Sequence, residues 1–222
     1  LPPTNRPPSF NPNLLRNIWR FAAGMGGITL LSVILMQIDK VILSKLLSLK
    51  MFGYYTLAGV VSSMIPAMLA GPVFNSLFPR FSFFVVMNDE ASLSLLYHQG
   101  TQLLAVLILP VSALLAFFSY DIMLLWTRNA EVALIASPIV SLLVIGMALN
   151  GVMTMPYALQ LSHGWTSIGL FINIFLIITL VPSVYFMATR YGAVGAAAVW
   201  VMLNGIYMLI VAPLTHHRLL KG

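Results

Sequence analysis

Six long apolar stretches, separated only by short polar turns, constrain this chain more than any other feature of its sequence. They cover residues 17–47, 53–86, 93–126, 132–161, 165–189 and 192–215. A helix needs about 20 mostly apolar residues to cross the hydrocarbon core of a membrane, and each stretch is long enough. The apolar runs are continuous and not alternating, which excludes the strands of a β-barrel. The sequence therefore predicts an all-α, polytopic bundle of six transmembrane helices.

The composition excludes a soluble enzyme. Of the 222 residues, 60% are hydrophobic and only 7% are charged, whereas soluble domains carry about 25% charged residues. The net charge is +6, and such an excess in a membrane protein reflects cytoplasmic loops and anionic headgroups. The basic residues are scattered singly along the chain, so we expect membrane lipids and no nucleic acid as partners.

The chain divides into three predicted parts. A proline-rich cytoplasmic linker is expected over residues 1–16, a six-helix transmembrane lobe over 17–216 and a cytoplasmic tail over 217–222. The turns between the spans are short, so consecutive helices are expected to be antiparallel neighbours. Because the chain begins with Leu1 inside the proline-rich linker, we interpret it as part of a longer protein.

Polar side chains at membrane depth are costly, so they mark candidate functional positions. The first group lies late in the first span and contains Gln37, Asp39 and Lys40. In one interpretation Asp39 and Lys40 are an interfacial pair, with the lysine reaching the headgroups. In the other, Asp39 lines a hydrated cavity. Both interpretations stay open from the sequence.

The second group contains one asparagine near the middle of each of the last three spans: Asn150, Asn173 and Asn204. Trp200 precedes Asn204 by one helical turn. Such amides form hydrogen bonds between membrane helices or line a cavity. Amides beside an aromatic face would suit a hydroxyl-rich ligand such as a sugar.

A row of small residues in the second span predicts close helix packing. Gly59, Ser63, Ala67 and Gly71 follow one another at intervals of four, which places them on one helical face. Small residues at such spacing allow two membrane helices to approach closely. The same span contains three prolines, which predict a kinked helix.

No pattern in the sequence indicates catalysis. The HExxH, GxSxG, phosphate-loop and dinucleotide-binding motifs are all missing from the sequence. There is no cysteine, and the four histidines are spread along the chain. We therefore expect a protein that is not an enzyme, with no catalytic residues, no metal and no cofactor.

Four segments occur in an informative order: QIDKVIL at 37–43, MFGYYTLA at 51–58, LFPRFS at 77–82 and RYGAVGAAA at 190–198. Together they resemble the carboxy-terminal half of bacterial polysaccharide flippases, the Wzx-type transporters of O-antigen and exopolysaccharide units. These transporters belong to the multidrug/oligosaccharidyl-lipid/polysaccharide exporter superfamily.

The resemblance implies one lobe of a two-lobe transporter in the bacterial inner membrane, with a preceding six-helix lobe as its partner. It implies that an undecaprenyl-diphosphate-linked oligosaccharide is flipped to the periplasmic leaflet by alternating access, for the biosynthesis of lipopolysaccharide O-antigen or exopolysaccharide. Glycosyltransferases and a polysaccharide polymerase would be its companions. Basic residues often line the cavities of this family, and Lys40 and Arg80 are the candidates here.

Two alternatives remain at this point. One is a multidrug antiporter or a lipid II flippase of the same superfamily. The other is an integral-membrane polymerase or ligase of envelope polysaccharides. Such enzymes usually carry a large periplasmic loop, and no loop of that size separates the predicted spans.

The predicted topology can be tested with reporter fusions. With six spans both ends lie on one side, which collects six basic residues against five on the other side. The positive-inside rule therefore places both ends in the cytoplasm. Green fluorescent protein fused after Lys221 should fluoresce, and alkaline phosphatase fused there should be inactive. High phosphatase activity at this position would contradict the orientation.

Overall fold

The computed structural model describes residues 12–219, and all the regular structure in them is helical. The helices are α1 (Pro12–Leu46), α2 (Leu49–Ile65), α3 (Gly71–Met87), α4 (Glu90–Phe117), α5 (Ser119–Thr127), α6 (Ala130–Val152), α7 (Thr154–Ser162) and α8 (Thr166–Leu219). Five continuous helical stretches within them are long and apolar enough to cross a membrane. The prediction of an all-α, multi-pass membrane bundle is confirmed.

Residues 1–11 and 220–222 lie outside the described part of the chain. The predicted linker over 1–16 falls largely on them, and so does half of the predicted tail over 217–222. These two assignments therefore stay predictions, as does the orientation of the ends.

The predicted fifth and sixth spans are the two arms of α8, which form a hairpin. Asn173 in the first arm bonds Ser32 of α1, and Trp200 in the second arm bonds Asp39 of α1. The 27 residues from Asn173 to Trp200 would span about 40 Å in a straight helix, but Ser32 and Asp39 are only about 10 Å apart along α1. The chain reverses at Gly192, where φ is 62° and ψ is −145°, a conformation that is essentially restricted to glycine.

The other long segments are interrupted without reversing. A π-helical turn at Pro66–Ala70 joins α2 to α3, as expected where a proline removes a backbone donor. Phe118 separates α4 from α5, and Met153, with ψ at 0°, separates α6 from α7. The second span, for which its prolines predict a kink, is therefore interrupted at Pro66–Ala70.

Helix α6 occupies the centre of the bundle and contacts α2, α4, α5 and α8. It approaches the second arm of α8 closely at Gly146. A Cβ at this glycine would lie 3.3 Å from the backbone carbonyl carbon of Trp200, so the absence of a side chain lets the two helices meet. This approach brings Asn150 of α6 beside Asn204 of α8.

The packing predicted for the small-residue row is wrong within the described chain. Ser63 and Ala67 are exposed, and a Cβ at Gly59 would meet open space. Helix α2 instead turns its other face inward and buries Ala58 and Ser62. The row did not predict packing correctly because small residues allow another helix to approach but do not determine whether one lies there.

The hairpin at Gly192 gives a direct test of the fold. Gly192→Ala forces a side chain into a backbone conformation that costs about 1–3 kcal/mol for other residues. Gly205→Ala is the matched control, because Gly205 lies in the same helix and a Cβ there would also meet open space. Thermal unfolding in detergent should show a lower Tm for Gly192→Ala and an equal or higher Tm for Gly205→Ala. Equal behaviour of the two variants would contradict the turn.

Candidate functional site

Asp39 joins three helices at one buried point. Its side chain is only 3% exposed. The Tyr55 hydroxyl of α2 donates a hydrogen bond to Asp39 Oδ2 at 2.6 Å, and Trp200 Nε1 of α8 donates to the same oxygen at 3.0 Å. We call these three residues the Asp39 junction. Asp39 itself is buried and does not line the cavity described below, and its role on a substrate path stays a prediction.

The other charged or polar candidates of the first two spans send no side chain to the junction, although the Lys40 backbone N–H donates to Asp39 Oδ1 at 2.7 Å. Lys40 Nζ donates to Gln37 Oε1 at 3.3 Å, one turn back on α1. Gln37 is exposed, Lys40 is half-buried, and Arg80 is exposed on α3. The structure thus places these three residues outside the cavity, and their role on a substrate path stays a prediction.

The four remaining candidates are brought together around one cavity of about 260 Å³. It lies between α1, α6, α7 and both arms of α8. The polar and aromatic lining residues are Ser32, Asn150, Thr154, Tyr157, Gln160, Asn173, Trp200, Asn204 and Tyr207. The other lining residues are glycine and aliphatic or methionine side chains, so the wall carries no charged group.

The asparagines form a chain of hydrogen bonds between helices. Asn150 Nδ2 donates to Asn204 Oδ1 at 3.1 Å, and Asn204 Nδ2 donates to the Trp200 carbonyl at 2.9 Å. Asn173 Nδ2 donates to Ser32 Oγ of α1 at 3.1 Å. The two interpretations made from the sequence therefore hold together: the amides tie helices to one another, and they line a cavity.

Sequence reasoning missed several polar groups of this wall. Tyr157 follows Asn150 by seven residues, and Tyr207 follows Trp200 by seven, so each pair shares a helical face. That spacing was a usable signal. Gln160 donates from Nε2 to Thr215 Oγ1 at 2.7 Å. It lies near the end of its span, and no pattern in the sequence indicated that it lines the cavity.

Trp200 belongs to both the Asp39 junction and the cavity wall. Its indole nitrogen is held by Asp39, while the side chain lines the cavity. Asp39 thereby fixes how the indole is presented to the cavity without lining it. We regard Asp39 as a positioning residue.

Comparison with known protein families gives a match to the first half of the chain. The profile of a family described as polysaccharide biosynthesis protein matches residues 4–129, which is more than half of the chain. The matched region includes Asp39 and Tyr55. No curated protein and no solved structure matches the chain.

The Asp39 junction predicts a clear order of stabilities. Asp39→Ala leaves the Tyr55 hydroxyl and the Trp200 indole N–H without an acceptor, at about 1–3 kcal/mol for each buried group. Asp39→Asn keeps a side-chain oxygen and should lose less. Asp121→Ala on the exposed side of α5 serves as the control for removing a carboxylate. Thermal unfolding in detergent should rank Asp39→Ala lowest, and an unchanged Tm for that variant would contradict the junction.

Proposed function

The chain belongs to the polysaccharide biosynthesis protein family, and on that premise we propose that it forms one lobe of a transporter that flips a lipid-linked oligosaccharide across a membrane. The observation that carries the proposal is the cavity between helices long and apolar enough to cross a membrane, with its amides and aromatic side chains. The saccharide part of the substrate would enter this cavity. In this proposal the protein moves its substrate without a chemical step and is not an enzyme.

The physical need for such a cavity follows from the substrate. Each hydroxyl of a saccharide loses hydrogen bonds to water on entering hydrocarbon, at a cost of several kcal/mol when nothing replaces them. The amides of Asn150, Asn173 and Asn204 supply polar partners where the surrounding helices are apolar. A few well-placed polar groups in a mainly apolar wall are typical of small-molecule sites.

The size of the cavity supports a second lobe as partner. About 260 Å³ falls just below the roughly 300–1,000 Å³ of usual ligand pockets. The cavity therefore suits one sugar residue better than a whole oligosaccharide. We propose that a further six-helix lobe completes the path, and that the two lobes alternate access between the two leaflets.

The interrupted helices support movement of this kind. The π-helical turn at Pro66–Ala70 and the break at Met153 lie inside membrane-spanning segments. Discontinuous helices recur in transporters, where one bundle moves against another. The break at Met153 also lies on the cavity wall, so bending there would change the shape of the cavity.

The cellular setting follows from the same proposal. The substrate would be an undecaprenyl-diphosphate-linked oligosaccharide, taken from the cytoplasmic to the periplasmic leaflet of the bacterial inner membrane. Glycosyltransferases would build it and a polymerase would use it, in the biosynthesis of O-antigen or another polysaccharide. The ends of the chain would face the cytoplasm.

Complementation of a strain lacking the gene tests the proposal. Asn150→Leu removes the central amide while keeping a similar side-chain shape, so surface polysaccharide should fall at least several-fold at matched membrane levels of protein. Full restoration by Asn150→Leu would contradict a transport role for the cavity.

Two threonines allow the loss of one hydroxyl inside the cavity to be compared with the loss of one outside it. Thr154 lines the cavity and Thr189 is exposed, yet each hydroxyl donates to the carbonyl three residues earlier. Thr154→Val should reduce surface polysaccharide, and Thr189→Val should leave it unchanged.

A further inference from the structure

Each nitrogen donor of the cavity wall makes at least one hydrogen bond within the protein. Each makes a hydrogen bond to an oxygen of the chain at between 2.7 and 3.1 Å. These donors are the side-chain nitrogens of Asn150, Gln160, Asn173, Trp200 and Asn204. Because a side-chain amide has two N–H groups, Asn150, Gln160 and Asn204 each keep one N–H that makes no hydrogen bond to the described residues.

Three carbonyl oxygens of the same side chains remain available. Asn150 Oδ1, Gln160 Oε1 and Asn173 Oδ1 accept no hydrogen bond from the described residues. The only sealed side-chain oxygen or nitrogen without a partner in the described part of the chain is Ser112 Oγ, so these three oxygens are accessible. An amide oxygen is an acceptor only. The cavity therefore offers three acceptor oxygens to a ligand that donates hydrogen bonds, such as a sugar hydroxyl.

Aromatic side chains complete the wall. Tyr157, Trp200 and Tyr207 all line the cavity, and such rings combine a large apolar face with a polar group at one end. A sugar ring has the matching character, because its C–H face is apolar and its rim carries hydroxyl donors.

An anion would meet the opposite conditions. A buried carboxylate or phosphate is costly without a cation beside it, and none of the residues lining the cavity is charged. Lys40 and Arg80, the basic candidates of the first two spans, lie outside it. The free carbonyl oxygens would also repel a negative charge.

We infer that the cavity selects an uncharged, hydroxyl-rich sugar residue, and that the anionic phosphates of the carrier lipid stay outside it. This inference rests on the proposed function and narrows it. In this inference the cavity recognises a sugar through its acceptor oxygens and aromatic faces. Recognition of the carrier's charge is left to other surfaces.

Binding to the purified full-length protein in lipid nanodiscs tests the inference. The probes are methyl glucoside, glucuronate and inorganic diphosphate at equal ionic strength, and the readouts are tryptophan fluorescence and Tm. Methyl glucoside should bind, with glucuronate about tenfold weaker or more, since an unpaired buried charge costs more than 1.4 kcal/mol. Diphosphate should not compete with methyl glucoside. Equal binding of glucuronate and methyl glucoside, competition by diphosphate, or no binding of methyl glucoside would overturn the inference.

A charge-adding variant provides an independent arm. Met147 lines the cavity on α6, and Met147→Lys would supply the missing cation. Glucuronate binding should then strengthen about tenfold, as expected for a new charge-assisted pair, whereas Met147→Gln should show no gain. An unchanged glucuronate affinity in a folded Met147→Lys protein would count against the inference.

These outcomes separate the inference from the proposed function. Equal binding of neutral and acidic sugars would remove the charge selectivity while leaving a saccharide site in place. Full surface polysaccharide with Asn150→Leu would instead remove the transport role of the cavity, whatever the probes show.

Discussion

One buried carboxyl group holds the first two helices and the last one in register. Asp39 accepts hydrogen bonds from Tyr55 and Trp200 on a single oxygen, and it is almost completely shielded from solvent. A donor left unpaired in such surroundings costs about 1–3 kcal/mol, so separating any one of the three helices at this point is unfavourable. In hydrocarbon, where apolar contacts between helices gain little over contacts with lipid, hydrogen bonds of this kind carry much of the specificity.

The cavity depends on this junction through Trp200. With its indole nitrogen held by Asp39, the tryptophan side chain becomes a fixed part of the wall. The close approach at Gly146 then sets Asn150 against Asn204 on the same wall. A few hydrogen bonds thus create a polar cavity in a mostly apolar bundle. The helices that these bonds join are far apart along the chain.

Much of this architecture could be predicted from the sequence. Hydropathy located the six spans because a membrane imposes length and apolarity on each helix separately, and the predicted boundary between the fifth and sixth spans lies at the Gly192 hairpin. Asn150, Asn173 and Asn204 stood out because amides are rare at membrane depth. The partners of Asp39 could not be predicted, because they lie 16 and 161 residues further along the chain. The exposure of Ala67 could not be predicted for a related reason. Residue spacing shows which side chains share a helical face, but not what that face contacts.

A double-mutant cycle between Tyr55→Phe and Trp200→Phe tests the junction most directly. Each substitution removes one donor to the shared oxygen of Asp39, so their effects on the free energy of unfolding should not add. The account predicts a coupling energy of about 0.5–3 kcal/mol, as found for residues of one hydrogen-bond network. Additivity within about 0.3–0.5 kcal/mol would show that the two side chains act independently and would contradict a junction centred on Asp39.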